Sequence, residues 1–95
     1  MRTMVKIHFP VEIGNKVVSD GTLPKMVEAF SKEYKPEAAY FFPENGKRTM
    51  LFVFDLPDST HIPSIAERFF RGLNAEIVLT PVMNADDLKA GLAKI

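Results

Sequence analysis

The dipeptide Asn45-Gly46 constrains this chain more than any other feature of it. A two-residue type I′ turn requires positive φ at both central positions, and Asn-Gly accepts that at little steric cost. On either side lie runs rich in aromatic and β-branched residues, Ala38–Phe42 and Arg48–Asp55. These runs form an antiparallel hairpin, and the turn sets its register. Glu44 faces Lys47, Phe42 faces Thr49, and Tyr40 faces Leu51.

Upstream, Thr3–Phe9 alternates with a period of two, Val5, Ile7 and Phe9 on one face and Met4, Lys6 and His8 on the other. That is a first strand, ended by Pro10. Val11–Val18 predicts a helical turn or two with Val11, Val18 and Ile13 inward, interrupted at Asp20-Gly21. Thr22 is the expected N-cap of the next helix, with Pro24 in its first turn. Leu23, Met26, Val27, Phe30 and Tyr34 follow at helical spacing, and Pro36 stops the helix.

Beyond the hairpin, Asp58, Ser59 and Thr60 are candidate caps for a helix that contains Pro63 and runs to about Leu73. Its inward stripe is Ile62, Ile65, Ala66, Phe69 and Leu73, and Gly72 or Asn74 supplies a left-handed residue at its end. Ala75–Val82 reads as the fourth strand. Asn84 then caps a short extra C-terminal helix carrying Leu88, Leu92 and Ile95 on one side, with Asp86 and Asp87 in its first turn.

Strand, helix, hairpin, helix, strand is the βαββαβ order of an α+β, ferredoxin-like domain with a four-stranded antiparallel sheet and two helices on one face. At 95 residues the chain is expected to be one such domain. The sheet should then be polar on its other face. The helix side takes Val5, Ile7, Phe9, Met50, Phe52, Phe54, Ile77 and Leu79. The opposite side receives Met4, Lys6, His8, Tyr40, Phe42, Thr49, Leu51, Val53, Glu76, Val78 and Thr80, a set too apolar to sit in water. A second sheet packed against it is the expected remedy, so the chain is expected to pair with a copy of itself. Two facing sheets would leave a cavity with apolar walls and a few polar groups, the usual character of a small-molecule site.

Composition narrows the classes of function. Twelve basic and twelve acidic residues cancel, so the excess cation that phosphate binding needs is missing and no nucleic-acid partner is expected. The aromatic strand Arg48–Phe54 resembles that of RNA-recognition motifs only faintly, because Phe52 and Phe54 fall on the helix side. No cysteine is present, which removes disulfides, thiolate chemistry and cysteine metal sites. Met1–Pro10 alternates as a strand and is unlike a signal peptide, and no apolar run is long enough to span a membrane. A cytoplasmic address is expected by default.

The runs Lys35-Pro-Glu-Ala-Ala-Tyr40, Asn45-Gly-Lys-Arg-Thr49, Val53-Phe-Asp-Leu56 and Pro81-Val-Met-Asn84, together with the order of elements, resemble the dimeric α/β-barrel superfamily, and its uncharacterised small bacterial members in particular. The resemblance covers nearly the whole chain at the level of fold. It implies a homodimer with a cavity on the sheet, in a group that includes cofactor-independent isomerases and monooxygenases. The chain lacks the Trp used by the haem-degrading members, and no His–carboxylate pair matches the isomerases, so no catalytic residue is carried over.

From the residues themselves, His8 is the candidate general acid or base, since its reference pKa lies near physiological pH; the competing reading is a structural histidine at a strand end. Lys6, Tyr40, Phe42, Leu51, Glu76 and Thr80 are the candidate ligand-binding residues around it. Glu76 is placed to orient His8 or to pair with Lys6. His61 and Asp55 have simpler readings at a helix start and a strand end. Two histidines and scattered carboxylates show no metal-ligand spacing, and neither metal nor cofactor is expected. The expected function is binding, and conceivably conversion, of an apolar or aromatic metabolite. The alternative is a non-catalytic interaction or regulatory domain whose second face serves self-association alone.

Overall fold

The computed structural model describes residues 1–95. Four strands, β1 (Arg2–Phe9), β2 (Ala38–Glu44), β3 (Lys47–Asp55) and β4 (Glu76–Pro81), form one antiparallel sheet in the order β2-β3-β1-β4. Helices α1 (Val11–Ser19) and α2 (Thr22–Tyr34) lie between β1 and β2. A 3-10 turn (Ser59–His61) leads into α3 (Ile62–Leu73) between β3 and β4, and α4 (Ala85–Leu92) follows β4. This is an α+β arrangement consistent with the ferredoxin-like order.

The hairpin has the register set by its turn, Glu44↔Lys47, Phe42↔Thr49 and Tyr40↔Leu51. Asn45 and Gly46 take φ of 53° and 75°, as a type I′ turn requires. The alternation of β1 holds to its last residue: Val5, Ile7 and Phe9 are buried, and Thr3 closes the same face at the far end. With Met50, Phe52 and Phe54 from β3 they form the floor of the core, and Ile77 and Leu79 pack against it half-buried. Phe30 of α2 is the centre of that core. Its ring stacks on Phe52 at 4.7 Å, meets Phe54 edge-on at 5.3 Å and touches Phe69 of α3 at 5.9 Å. Aromatic pairs in such geometries stabilise beyond their simple area burial.

Three local expectations need correction. The segment after Pro10 is a full nine-residue helix, with Gly14 and Val17 buried and Ile13 half-buried, while Val11 and Val18 face water. Ile13 and Val17, one helical turn apart, pack on the core, and the Arg48 guanidinium reaches over the helix to the Val11 carbonyl and Asn15. A Cβ on Gly14 would lie 2.5 Å from its Nη1, so the helix presents its smallest residue to that arginine. Thr22 is not the cap of α2. Gly21 occupies the cap position with φ of 79°, and the Asp20 carboxylate accepts from the Thr22 N–H. Ile62, in the first turn of α3, stays exposed and outside the core cluster. At the other end of α3 the left-handed residue is Asn74, one of the two named from the sequence.

Candidate functional site

The face of the sheet away from α1, α2 and α3 is ordered in three rows by strand register. The first runs Glu76–His8–Thr49–Phe42, the second Val78–Lys6–Leu51–Tyr40, and the third Thr80–Met4–Val53–Ala38. All seven sequence-nominated residues lie on this face. No helix covers it. Tyr40 is 62% exposed and Val78 49%, while Phe42, Leu51, Val53 and Met4 are half-buried by their neighbours alone.

Polar groups gather at the first row. Thr49 is only 2% exposed although its face is open. Its hydroxyl donates to the Lys47 carbonyl at 3.3 Å and lies 3.2 Å from His8 Nδ1. The hydroxyl has one hydrogen for these two neighbours, and Nε2 of His8 makes no hydrogen bond. Lys6 extends diagonally across the same rows to Glu44, Nζ to Oε1 at 2.8 Å. The second oxygen of Glu44 is buried and has no hydrogen-bond partner.

The structure thus brings His8 and Lys6 into one polar cluster, with Phe42, Tyr40 and Leu51 in the rows beside it, and it redistributes their partners. Lys6 pairs with Glu44 and not with Glu76. Glu76 is the register neighbour of His8, yet it is exposed and makes no hydrogen bond or ion pair; Thr49 orients the imidazole in its place. Thr80 lies two rows away and gives its hydroxyl to the Pro81 carbonyl, outside the cluster. Thr49 and Glu44 are the functional candidates that sequence reasoning passed over. The hairpin register already placed Thr49 opposite Phe42, and Glu44 on the face of Phe42 and Tyr40; that was the available signal, while the pairing of Thr49 with His8 comes from the β1–β3 register of the fold.

The other nominated groups have structural partners. His61 Nδ1 lies 2.9 Å from the hydroxyl of buried Tyr34, and the guanidinium of Arg68 sits over the Tyr34 ring at 5.7 Å. Asp55 pairs with the amine of Met1. At the far end of the open face Arg2 is bridged by Glu37 and Asp87. Its pKa is raised above the ordinary value, first by the hydrogen bond to Glu37 and then by the nearness of both carboxylates. No three His, Asp or Glu side chains converge as metal ligands would. No helix is long and apolar enough to cross a membrane.

Of six surface cavities, five of 260 to 680 Å³ have none of His8, Lys6 or Tyr40 in their walls. The largest surrounds Arg2 and its carboxylates. A 290 Å³ apolar cleft under Leu23, Phe9 and Met50 reaches Phe42 and Thr49 at the edge of the sheet. Within one chain the nominated site is therefore an open surface with a polar cluster set into it. The class that fold and site define is a small α+β protein with a four-stranded antiparallel sheet, helices on one face and an uncovered, largely apolar second face. Compared with known protein families, with curated proteins and with solved structures, the chain matches none.

Proposed function

We propose that the protein acts as a homodimer, joined through the open faces of its two sheets as in dimeric α/β barrels, and binds a small apolar or aromatic molecule between them. The observation that carries this reading is the contrast on that face. Exposed Tyr40 and Val78 and half-buried Leu51 and Phe42 surround a fixed polar cluster in which His8 Nε2 makes no hydrogen bond. Burying the apolar part stabilises the pair by about 25 cal/mol per Å² removed from water. The cluster then supplies what such a pocket needs to orient a ligand, one unpaired ring nitrogen at His8 beside the cation of Lys6. Proton transfer to or from His8 is the chemistry available there. The proposal places the protein in the cytoplasm.

The chain has no tryptophan, so the emission of 2-naphthol can be read directly against it. Saturable binding of 2-naphthol is expected, weakened about tenfold in His8→Ala, the loss of roughly one hydrogen bond, while the unliganded variant stays folded by circular dichroism. Equal affinity in both proteins removes His8 from the site. A dimer that binds no naphthol favours self-association as the sole role of the face.

A further inference from the structure

We infer that the cleft between Leu23 and the β2 edge of the sheet is a second binding site, which takes a small aromatic carboxylate with its acid group on Arg48. The site includes the buried helix-side residues Phe9 and Met50 and does not depend on the pairing of the open faces.

Arg48 differs from the other arginines of the chain. Arg2, Arg68 and Arg71 each pair with a carboxylate, and Arg48 pairs with none. Two neutral oxygens hold its guanidinium instead, the Val11 carbonyl at 3.4 Å and the Asn15 side chain at 3.0 Å. A guanidinium has about five N–H donors, so most of them meet no acceptor in the protein. The residue is half-buried, and its charge is partly withdrawn from water with no anion to balance it. Its seat is shaped to fit: Gly14 lies beneath it, and a Cβ there would come within 2.5 Å of Nη1. A guanidinium already held in place, with N–H groups to spare, can take a carboxylate through two parallel hydrogen bonds. Little further side-chain entropy is then lost on binding.

The cleft supplies the apolar half of the site. Eight residues wall its 290 Å³, and Arg48 is the one charged residue among them. Phe9 and Met50 belong to the buried core, and Leu23 of α2 with Phe41 and Pro43 of β2 complete the wall. Phe41 packs edge-on against Phe52 yet is 56% exposed, so part of its ring is still open to a ligand. The volume lies at the small end of ligand sites, which run from about 300 to about 1,000 Å³. One ring with a short acid arm suits it, and the aromatic walls favour a ring over an aliphatic body. A single cation calls for a single negative charge. A carboxylate meets that better than a phosphate monoester, which carries about two charges at neutral pH.

Phenylacetate and phenylacetamide share a shape and differ in charge, so titrating each into ¹⁵N-labelled wild-type protein isolates the acid group. Saturable shifts of the Gly14, Asn15, Leu23 and Phe41 amides are expected with phenylacetate, and binding at least about tenfold weaker with the amide. Arg48→Gln, checked for its fold by circular dichroism, should weaken phenylacetate by a similar factor. Equal affinity for acid and amide in the wild type overturns the site, and that comparison stands even if the Arg48 variant does not fold. Phenylacetate that does not saturate, or that saturates without moving the Gly14 and Leu23 amides, overturns it as well. Wild-type affinity in a folded Arg48→Gln would mean that Arg48 only clamps α1 to the hairpin.

Discussion

His8 and Thr49 sit opposite one another on β1 and β3, and the 3.2 Å contact between imidazole Nδ1 and the threonine hydroxyl fixes which ring nitrogen faces outward. Thr49 is held in turn by the carbonyl of Lys47, so the turn end of the hairpin positions the one imidazole on the open face. Thr49→Val keeps the shape and removes the hydroxyl. It should destabilise the protein by about 1 kcal/mol and convert the His8 ring into a mixture of tautomers, read from its ¹⁵N shifts. A single unchanged tautomer would show that Thr49 does not orient the ring.

Lys6→Met should be more damaging than a typical surface substitution. It leaves both Glu44 oxygens without a partner, and one of them is already buried. About 1–3 kcal/mol of stability should be lost in urea unfolding, the usual penalty for stranding a charged group. Glu44→Gln in the same background should recover part of it, because the uncompensated charge is then gone. Strict additivity of the two changes would mean that the pair is not coupled.

Acid should weaken the start of α3. The Asp58 carboxyl is held below its ordinary value of 3.8, chiefly by hydrogen bonds from the Thr60 hydroxyl and N–H, with nearby His61 adding a little. A carboxylate with a lowered folded-state pKa stabilises the fold above its unfolded value, and that contribution disappears as pH falls through the folded one. The melting-temperature difference between wild type and Asp58→Asn should therefore shrink as pH drops below 3.8. A difference constant from pH 6 to pH 2 would show that the cap does not depend on the charge. Asp20, lowered by the same kind of contact with Thr22, should behave alike.

Phe30→Ala should cost about 3–5 kcal/mol, enough to approach the whole stability of a domain this small. The ring is fully buried and is the common neighbour of Phe52, Phe54, Phe69 and Tyr34. Phe41→Ala should cost far less. It touches Phe52 edge-on at 5.9 Å but lies on the edge strand, more than half exposed. Chemical denaturation of the two variants side by side measures the difference, and equal losses would contradict the core described above.

Much of the fold was written in local signals. Asn45-Gly46 determined the hairpin and its register because only certain residues accept two successive positive φ angles. The alternation of Val5, Ile7 and Phe9 determined which side of β1 is buried, since a period of two allows only one apolar face to turn inward. Asn84 and Asp87 determined the start of α4 through a cap that needs no tertiary contact. The inward side of α1 was not legible. Its choice of Gly14 and Val17 over Val11 and Val18 was made by packing: Ile13 and Val17 meet the core, and Gly14 leaves room for Arg48, more than thirty residues away.

The candidate site divides in the same way. Its membership followed from the sequence: period and register put His8, Lys6, Tyr40, Phe42, Leu51, Glu76 and Thr80 on one face, and nothing more than backbone geometry was needed. Its chemistry was decided by the tertiary structure. Whether Lys6 reached Glu76 on the neighbouring strand or Glu44 two strands away depended on the twist of the assembled sheet and the long reach of a lysine, which no local pattern encodes. The partner of a long, charged side chain is chosen by what the finished fold brings within a few ångströms, and for His8 that was a threonine in place of a carboxylate.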